Sequence, residues 1–216
     1  MRHHDLDPTD AASTGLLAGD APPGTPSGID VAAALIERQP GLDQMQLHKL
    51  LYCIQAANLA WFGEPAFAER IEAWQYGPVV RRVAGIYMEF DTAPIQTAAR
   101  GRSNRLKDRL LWVIDQIIRE FGHRSGPDLA KLVKAEGGPW WQARGDLGPE
   151  SPSSNEISLG SMAEYHRRFG LNPERGLTPA EQELAQRFLD GDRTSLEGLV
   201  GSFLGGRTDS GGRAET

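Results

Sequence analysis

Cys53 follows His48 by five positions, a pairing of thiol and imidazole that would suit a nucleophile and its base. Both fall in an apolar run with helical rhythm. Five helical positions turn the chain through about 500°, roughly 140° net, so the two side chains diverge. Cys53 therefore reads as a small buried hydrophobe. His48, beside Lys49, reads as a half-exposed histidine at the edge of a groove, bonded to solvent or a carbonyl. Glu69 and Glu72 have the spacing of a helical acid–base pair, but their segment reads as extended and leaves them as solvated charges. His123 falls near a helix end, where it favours the dipole. The pair His3-His4 is too short to make a metal site.

The searches for reactive motifs fail. No His-Glu-x-x-His appears, and one cysteine is too few for a Cys-rich zinc cluster. No Gly-x-x-x-x-Gly-Lys-Ser/Thr is present, and no Gly-x-Gly-x-x-Gly follows a strand. The Gly-x-Ser-x-Gly elbow is missing as well. The expectation is a non-enzyme with no cofactor and no metal.

Two other groups remain. From Arg100 to Arg109 the chain carries five positive charges (Arg100, Arg102, Arg105, Lys107, Arg109) against one negative, Asp108. Phosphate contacts need such a cluster, and binding through it would weaken with salt. No aromatics interleave for stacking and no helix-turn-helix accompanies it, so an acidic protein partner or plain hydration fits equally. The second group is aromatic. Trp61 and Trp74 read as core, whereas Tyr76-Gly77-Pro78 reads as a turn. An aromatic on a rigid turn loses little freedom on binding and makes a good anchor. Of Trp140 and Trp141, one ring is expected to pack and the other to be partly exposed.

The elements that must hold these residues are mostly helices. Ser27-Gly28-Ile29-Asp30 has capping-box spacing and predicts a helix over about 29–38, ended by Pro40-Gly41. Asp43 caps the next, with Leu47, Leu50, Leu51, Ile54, Ala57 and Trp61 on a packed face. Met45, Cys53, Ala56 and Ala60 add apolar surface elsewhere, which makes that helix central. Gly63 stops it. Ala66 to Trp74 reads as extended. Pro78 suits the first position of a helix running to about Phe90. After a loop over 91–104, a two-sided helix spans 105–121, with Leu106, Leu110, Val113, Ile114, Ile117 and Phe121 inward. Lys107, Asp108, Asp115, Gln116 and Arg119 face outward. Ser125 opens a helix to about Ala135, broken by Gly137-Gly138-Pro139. Residues 142–157 read as a long loop and Ser161–Phe169 as a helical piece. Thr178 and Thr194 open two further capping boxes.

These elements predict a mainly α chain with a small β element: a compact helical domain over 28–170 and an appended helical hairpin over 171–205. Residues 1–27 read as a disordered acidic arm and 206–216 as a disordered tail. The chain has 216 residues, a formal net charge of −6 and 39% hydrophobic residues. The negative balance argues against general affinity for nucleic acid. One cysteine, no signal-peptide pattern and no long apolar run predict a cytoplasmic protein without a membrane span.

Three blocks of this chain resemble a known family. Leu47-His48-Lys49-Leu50-Leu51-Tyr52-Cys53-Ile54-Gln55-Ala56 resembles the "LxKLLYYxQ" helix of the Panacea domain, or SocA-like antitoxin domain. Gly63-Glu64-Pro65-Ala66-Phe67 is similar to its "G.PLF" turn, and Ile71 to Val80 to its "IEAWxxGPVV" segment. A weaker echo runs from Leu129 to Trp140, where the family's Thr-His pair is replaced by Val133-Lys134. The resemblance spans roughly residues 29–169.

The resemblance implies an antitoxin of a two-gene toxin–antitoxin system, often carried by prophages, without enzymatic activity. Such antitoxins bind their toxin, encoded nearby, directly, and one branch delivers its toxin to a protease as an adaptor. On that reading the partner sits in a groove between the Leu47–Trp61 helix and the Trp74–Val79 turn. Lys49, Tyr52, Gln55, Trp74, Tyr76, Gly77 and Pro78 are its candidate contacts. The alternative is a transcriptional regulator that binds nucleic acid through Arg100 to Arg109.

Overall fold

The computed structural model describes residues 21–148 and 150–171. The expected C-terminal hairpin and tail, and most of the N-terminal arm, lie outside the described residues.

The first helix, α1 (Gly28–Arg38), is capped by Ser27, whose side chain accepts from the Ile29 N–H. The expected return bond from Asp30 to the Ser27 amide is not made. Asp30 instead accepts from the Arg102 N–H at 2.8 Å, because the 100–105 loop packs over the first turn. The Ala68 N–H donates to Pro26 O, tying the chain just before α1 to residue 68.

Helix α2 (Gln44–Phe62) begins with a complete capping box. Asp43 accepts from the Gln46 N–H at 2.7 Å and Gln46 returns the bond at 3.0 Å. It ends at Gly63, whose φ of +68° is the left-handed conformation a helix C-cap favours. Every residue from Leu47 to Trp61 is buried. Helix α1, the helices over Arg81–Tyr87, Asp108–Phe121, Gly126–Val133 and Leu159–Phe169 and the strand over Gly77–Val79 all pack on it, so it is the central post of the fold. The apolar face, with small Cys53, Ala56 and Ala60 elsewhere, predicts that role.

The extended stretch narrows to β1 (Glu72–Trp74), paired antiparallel with β2 (Gly77–Val79). Here the structure corrects the helix expected to start at Pro78. Gly77 has φ +107° and turns the chain back, so Pro78 falls opposite Ala73 and α3 starts only at Arg81, running to Tyr87. On the other side of β1, the returning loop adds bonds from Ala73 N to Asn155 O and from Ile157 N to Ile71 O.

Helix α4 (Asp108–Phe121) buries the six predicted apolar residues or flanks them, but Gln116, expected outside, is buried too. Helix α5 (Gly126–Val133) is capped by Ser125 as expected. A short helix that the sequence reading missed, α6 (Pro139–Arg144), follows because Pro139 serves as a first-turn residue instead of only a break. Helix α7 (Leu159–Phe169) is capped by Ser158, not Ser161. The fold is mainly α with a two-stranded sheet.

Candidate partner-binding face of the hairpin

Gln75 and Tyr76 form the loop between β1 and β2. The carbonyls around this loop are taken by side chains from outside the hairpin. Arg144 donates to Ala73 O at 3.1 Å, Trp140 Nε1 to Trp74 O at 2.9 Å and Lys134 Nζ to Gln75 O at 3.1 Å. Lys49 Nζ reaches Pro78 O at a longer 3.4 Å. The Val80 N–H points at His48 Nδ1, also at 3.4 Å. The Trp140 ring is itself held by cations: Lys134 Nζ lies 4.6 Å from its centroid and the Arg144 guanidinium 5.0 Å.

The consequence is a stiff turn. Gly77 is fitted to it, since an added Cβ would approach Lys49 Cε to 2.8 Å. Tyr76 projects from this turn and is 63% exposed. Trp74 is half-buried, not core, and donates Nε1–H to Glu72 Oε2 at 2.7 Å. The Glu72 carboxylate is fully buried and paired with Arg70 at 2.7 Å and Arg81 at 3.8 Å, so it is not the solvated charge the sequence suggested. A cleft of about 610 Å³ opens against this face, walled by Trp74, Tyr76, Val79 and Pro152 with Arg81 at its edge.

The remaining expected contacts sit elsewhere. Tyr52 and Gln55 have no exposed surface, so neither offers a partner a contact in this fold. Because α2 is wrapped on all sides, the groove expected between it and the hairpin is filled by packing, with Gly77 and Pro78 buried in it. Tyr52 donates its hydroxyl to His166 Nε2 at 2.8 Å, and His166 Nδ1–H donates to Gly170 O at 2.8 Å, which locks α2 to the end of α7. That pattern fixes the neutral tautomer. Burial holds the His166 pKa down to about 4, against the opposing pull of the Gly170 carbonyl, and raises the Tyr52 hydroxyl well above its usual range.

Gln55 works as a clamp. Its Oε1 accepts from the Ala66 and Phe67 N–H groups at 2.8 and 3.1 Å, and its Nε2 donates to Phe67 O at 3.2 Å. Lys49 is 2% exposed. Burial pushes its ammonium down to about 7; the charge of Lys134 adds to the fall and Asp43 opposes it. His48, expected half-exposed, is 3% exposed and held down to about 3, by burial first and by Lys49 second. Burial pushes the Cys53 thiol up to about 12, consistent with its reading as a hydrophobe.

The basic stretch divides. Arg100, Arg102 and Arg105 surround a cleft with Arg82, while Lys107 and Arg109 line a neighbouring one with Arg105 and Pro22 to Pro26. Arg109 is paired with Glu64 and stacks 4.7 Å from the Phe62 ring centroid. Among the described residues no group of three or more His, Cys, Asp or Glu side chains is placed to hold a metal, and no helix is long and apolar enough to cross a membrane.

Sequence reasoning missed Lys134, Arg144 and His166. Lys134 donates to the Gln75 carbonyl at the hairpin loop. Arg144 and His166 gave no signal of these contacts, because the hairpin carbonyl that Arg144 holds and the hydroxyl that His166 meets lie 71 and 114 residues away. Of the two adjacent tryptophans, Trp140 is the packed ring, at 2% exposed, and Trp141 the partly exposed one, at 46%.

A central buried helix, a hairpin held by three side chains from outside it and an exposed aromatic at its tip define this helical domain. Residues 47–141 match the family model "Antitoxin SocA-like, Panacea domain". The match is shorter than the resemblance over 29–169, yet α1 and α7, outside it, pack on the same α2. No curated protein and no solved structure matches the chain.

Proposed function

We propose that the chain is the antitoxin of a toxin–antitoxin pair and neutralises a cognate toxin by binding it directly through the hairpin face. The domain match supports a toxin–antitoxin role. The observation that carries the reading is Tyr76. It is an exposed aromatic on a turn whose neighbouring carbonyls at Ala73, Trp74 and Gln75 are each held by a side chain from another element. Such an anchor is ordered before the partner arrives, so binding costs little side-chain entropy. Trp74, Val79 and Pro152 supply apolar wall for a partner side chain, and Arg81 supplies charge at the rim. In this role the buried Lys49, Tyr52 and Gln55 act by holding the face in place. Gly77 and Pro78 shape the turn.

Coexpression tests the reading. A gene beside this one should encode a product that arrests growth alone and is harmless with the intact chain. The two proteins should co-purify. An intact toxin that is degraded only when the chain is present would mark the adaptor route, and a stable complex would mark occlusion. The alternative of a nucleic-acid-binding regulator draws less support, because the Arg100–Arg109 charges divide between two clefts and Arg109 is engaged by Glu64.

A further inference from the structure

The cleft beside the start of α1 and α3 has a composition unlike the rest of this acidic chain. It encloses about 420 Å³ and is lined by Arg82, Arg100, Arg102 and Arg105, with Asp30 as the one carboxylate in its wall. The arginines come from two separate parts of the chain, α3 and the 100–105 loop, and the fold brings them together over the first turn of α1. Arg105 leans on Asp30 at 3.9 Å and Arg82 on Glu69 at 3.2 Å. The guanidiniums of Arg100 and Arg102 have no partner among the described residues, although both are exposed. Four positive groups against two carboxylates leave a local surplus in a chain whose formal net charge is −6.

The loop that carries them is fixed. Arg102 N–H donates to Asp30 at 2.8 Å, and the Leu106 N–H closes a turn onto Ser103 O. Gly101, at φ +99°, lies so close to α1 that an added Cβ would meet Ile29 O at 2.3 Å. The amide of Gly28 is taken by Glu69, and that of Ile29 by Ser27, so the helix end does not supply the donors. The donors are guanidinium forks, which match phosphate oxygens in pairs.

We propose that this cleft binds a small oligophosphate, a ligand with two or more linked phosphate groups, held by Arg100 and Arg102 with Arg82 and Arg105 completing the ring. A compact ligand fits better than a polymer. The charge converges on one cleft, and beyond Arg105 the next arginine, Arg109, is already bound to Glu64. The site is separate from the hairpin cleft and does not depend on the antitoxin reading.

Calorimetric titration of the full chain with inorganic triphosphate at low salt tests it. Saturable binding is expected, weakening as salt is raised. Arg100→Ala with Arg102→Ala should lower the affinity about tenfold or more, with the thermal midpoint unchanged because those side chains support no other group. Arg100→Lys with Arg102→Lys, which keeps the charge and loses the forks, should also bind more weakly than the native chain. Tyr76→Ala should bind triphosphate normally. No saturable binding, or equal affinity in the alanine pair, overturns the proposal. A single-stranded oligonucleotide that binds through the same arginines, with triphosphate neither binding nor competing, also overturns it and assigns the surface to nucleic acid.

Discussion

The indole N–H of Trp140 donates to the main-chain oxygen of Trp74 at 2.9 Å, across 66 positions of sequence. This bond joins the first turn of α6 to the hairpin just before its loop. Lys134 and Arg144, on either side of Trp140 in sequence, each donate to a neighbouring hairpin carbonyl while flanking the Trp140 ring. A region that reads as a Gly-Pro break and a loop is therefore the clamp that shapes the hairpin.

Gly77→Ala probes the turn. The substitution places a Cβ at positive φ and against Lys49 Cε. A loss of about 1–3 kcal/mol in a denaturant melt is expected from strain at such a position. A change within the noise of the melt would mean that the hairpin is not fixed at this point.

Gln55→Leu probes the clamp after α2. It removes three hydrogen bonds and leaves the Ala66 and Phe67 amides without their acceptor. Orphaning two buried donors should cost about 2–4 kcal/mol. An unaffected stability, measured in the same urea series, would show that these amides find water.

His48 and His166 set the acid limb of stability. Burial lowers them from 6.5 to about 3 and about 4. Between 6.5 and those values the unfolded chain binds protons that the folded chain does not, so stability falls as pH drops through this window. His166→Gln keeps a donor and an acceptor without titrating and should flatten the slope. Urea midpoints that fall equally steeply in that variant would contradict the assignment.

Lys49 acts in the alkaline direction. Its pKa falls from 10.5 to about 7, so between these values the unfolded chain holds a proton that the folded chain lacks. Stability from this group is therefore lost as pH falls from 10.5 towards 7, and below 7 the penalty is constant. Lys49→Met should be less dependent on pH across that window. Parallel profiles for the variant and the native chain would show that the ammonium is not desolvated.

Local sequence carried much of the scaffold. The Asp43–Gln46 box, the Gly63 cap and the apolar rhythm of α2 and α4 are near-neighbour effects, and each can be read without knowing the fold. The hairpin was legible as a turn with an exposed Tyr76. Its strand at Gly77–Val79 was hidden by Pro78, whose preference for a first helical turn lost to the reversal made by Gly77. The polar residues of α2 misled for a related reason. Lys49, Tyr52 and Gln55 look like surface groups in sequence, but partners 29, 114 and 12 positions away satisfy them inside the core.

Tyr76 is the most direct point of attack on the binding face. Titrating the purified chain with the proposed toxin partner, before and after Tyr76→Ala, isolates an exposed side chain whose removal should change folding stability by no more than about 0.5 kcal/mol. A hairpin-tip anchor predicts a loss of about 1–3 kcal/mol in binding, with a matching loss of growth rescue. Undiminished affinity in a correctly folded variant would place the partner elsewhere on the molecule.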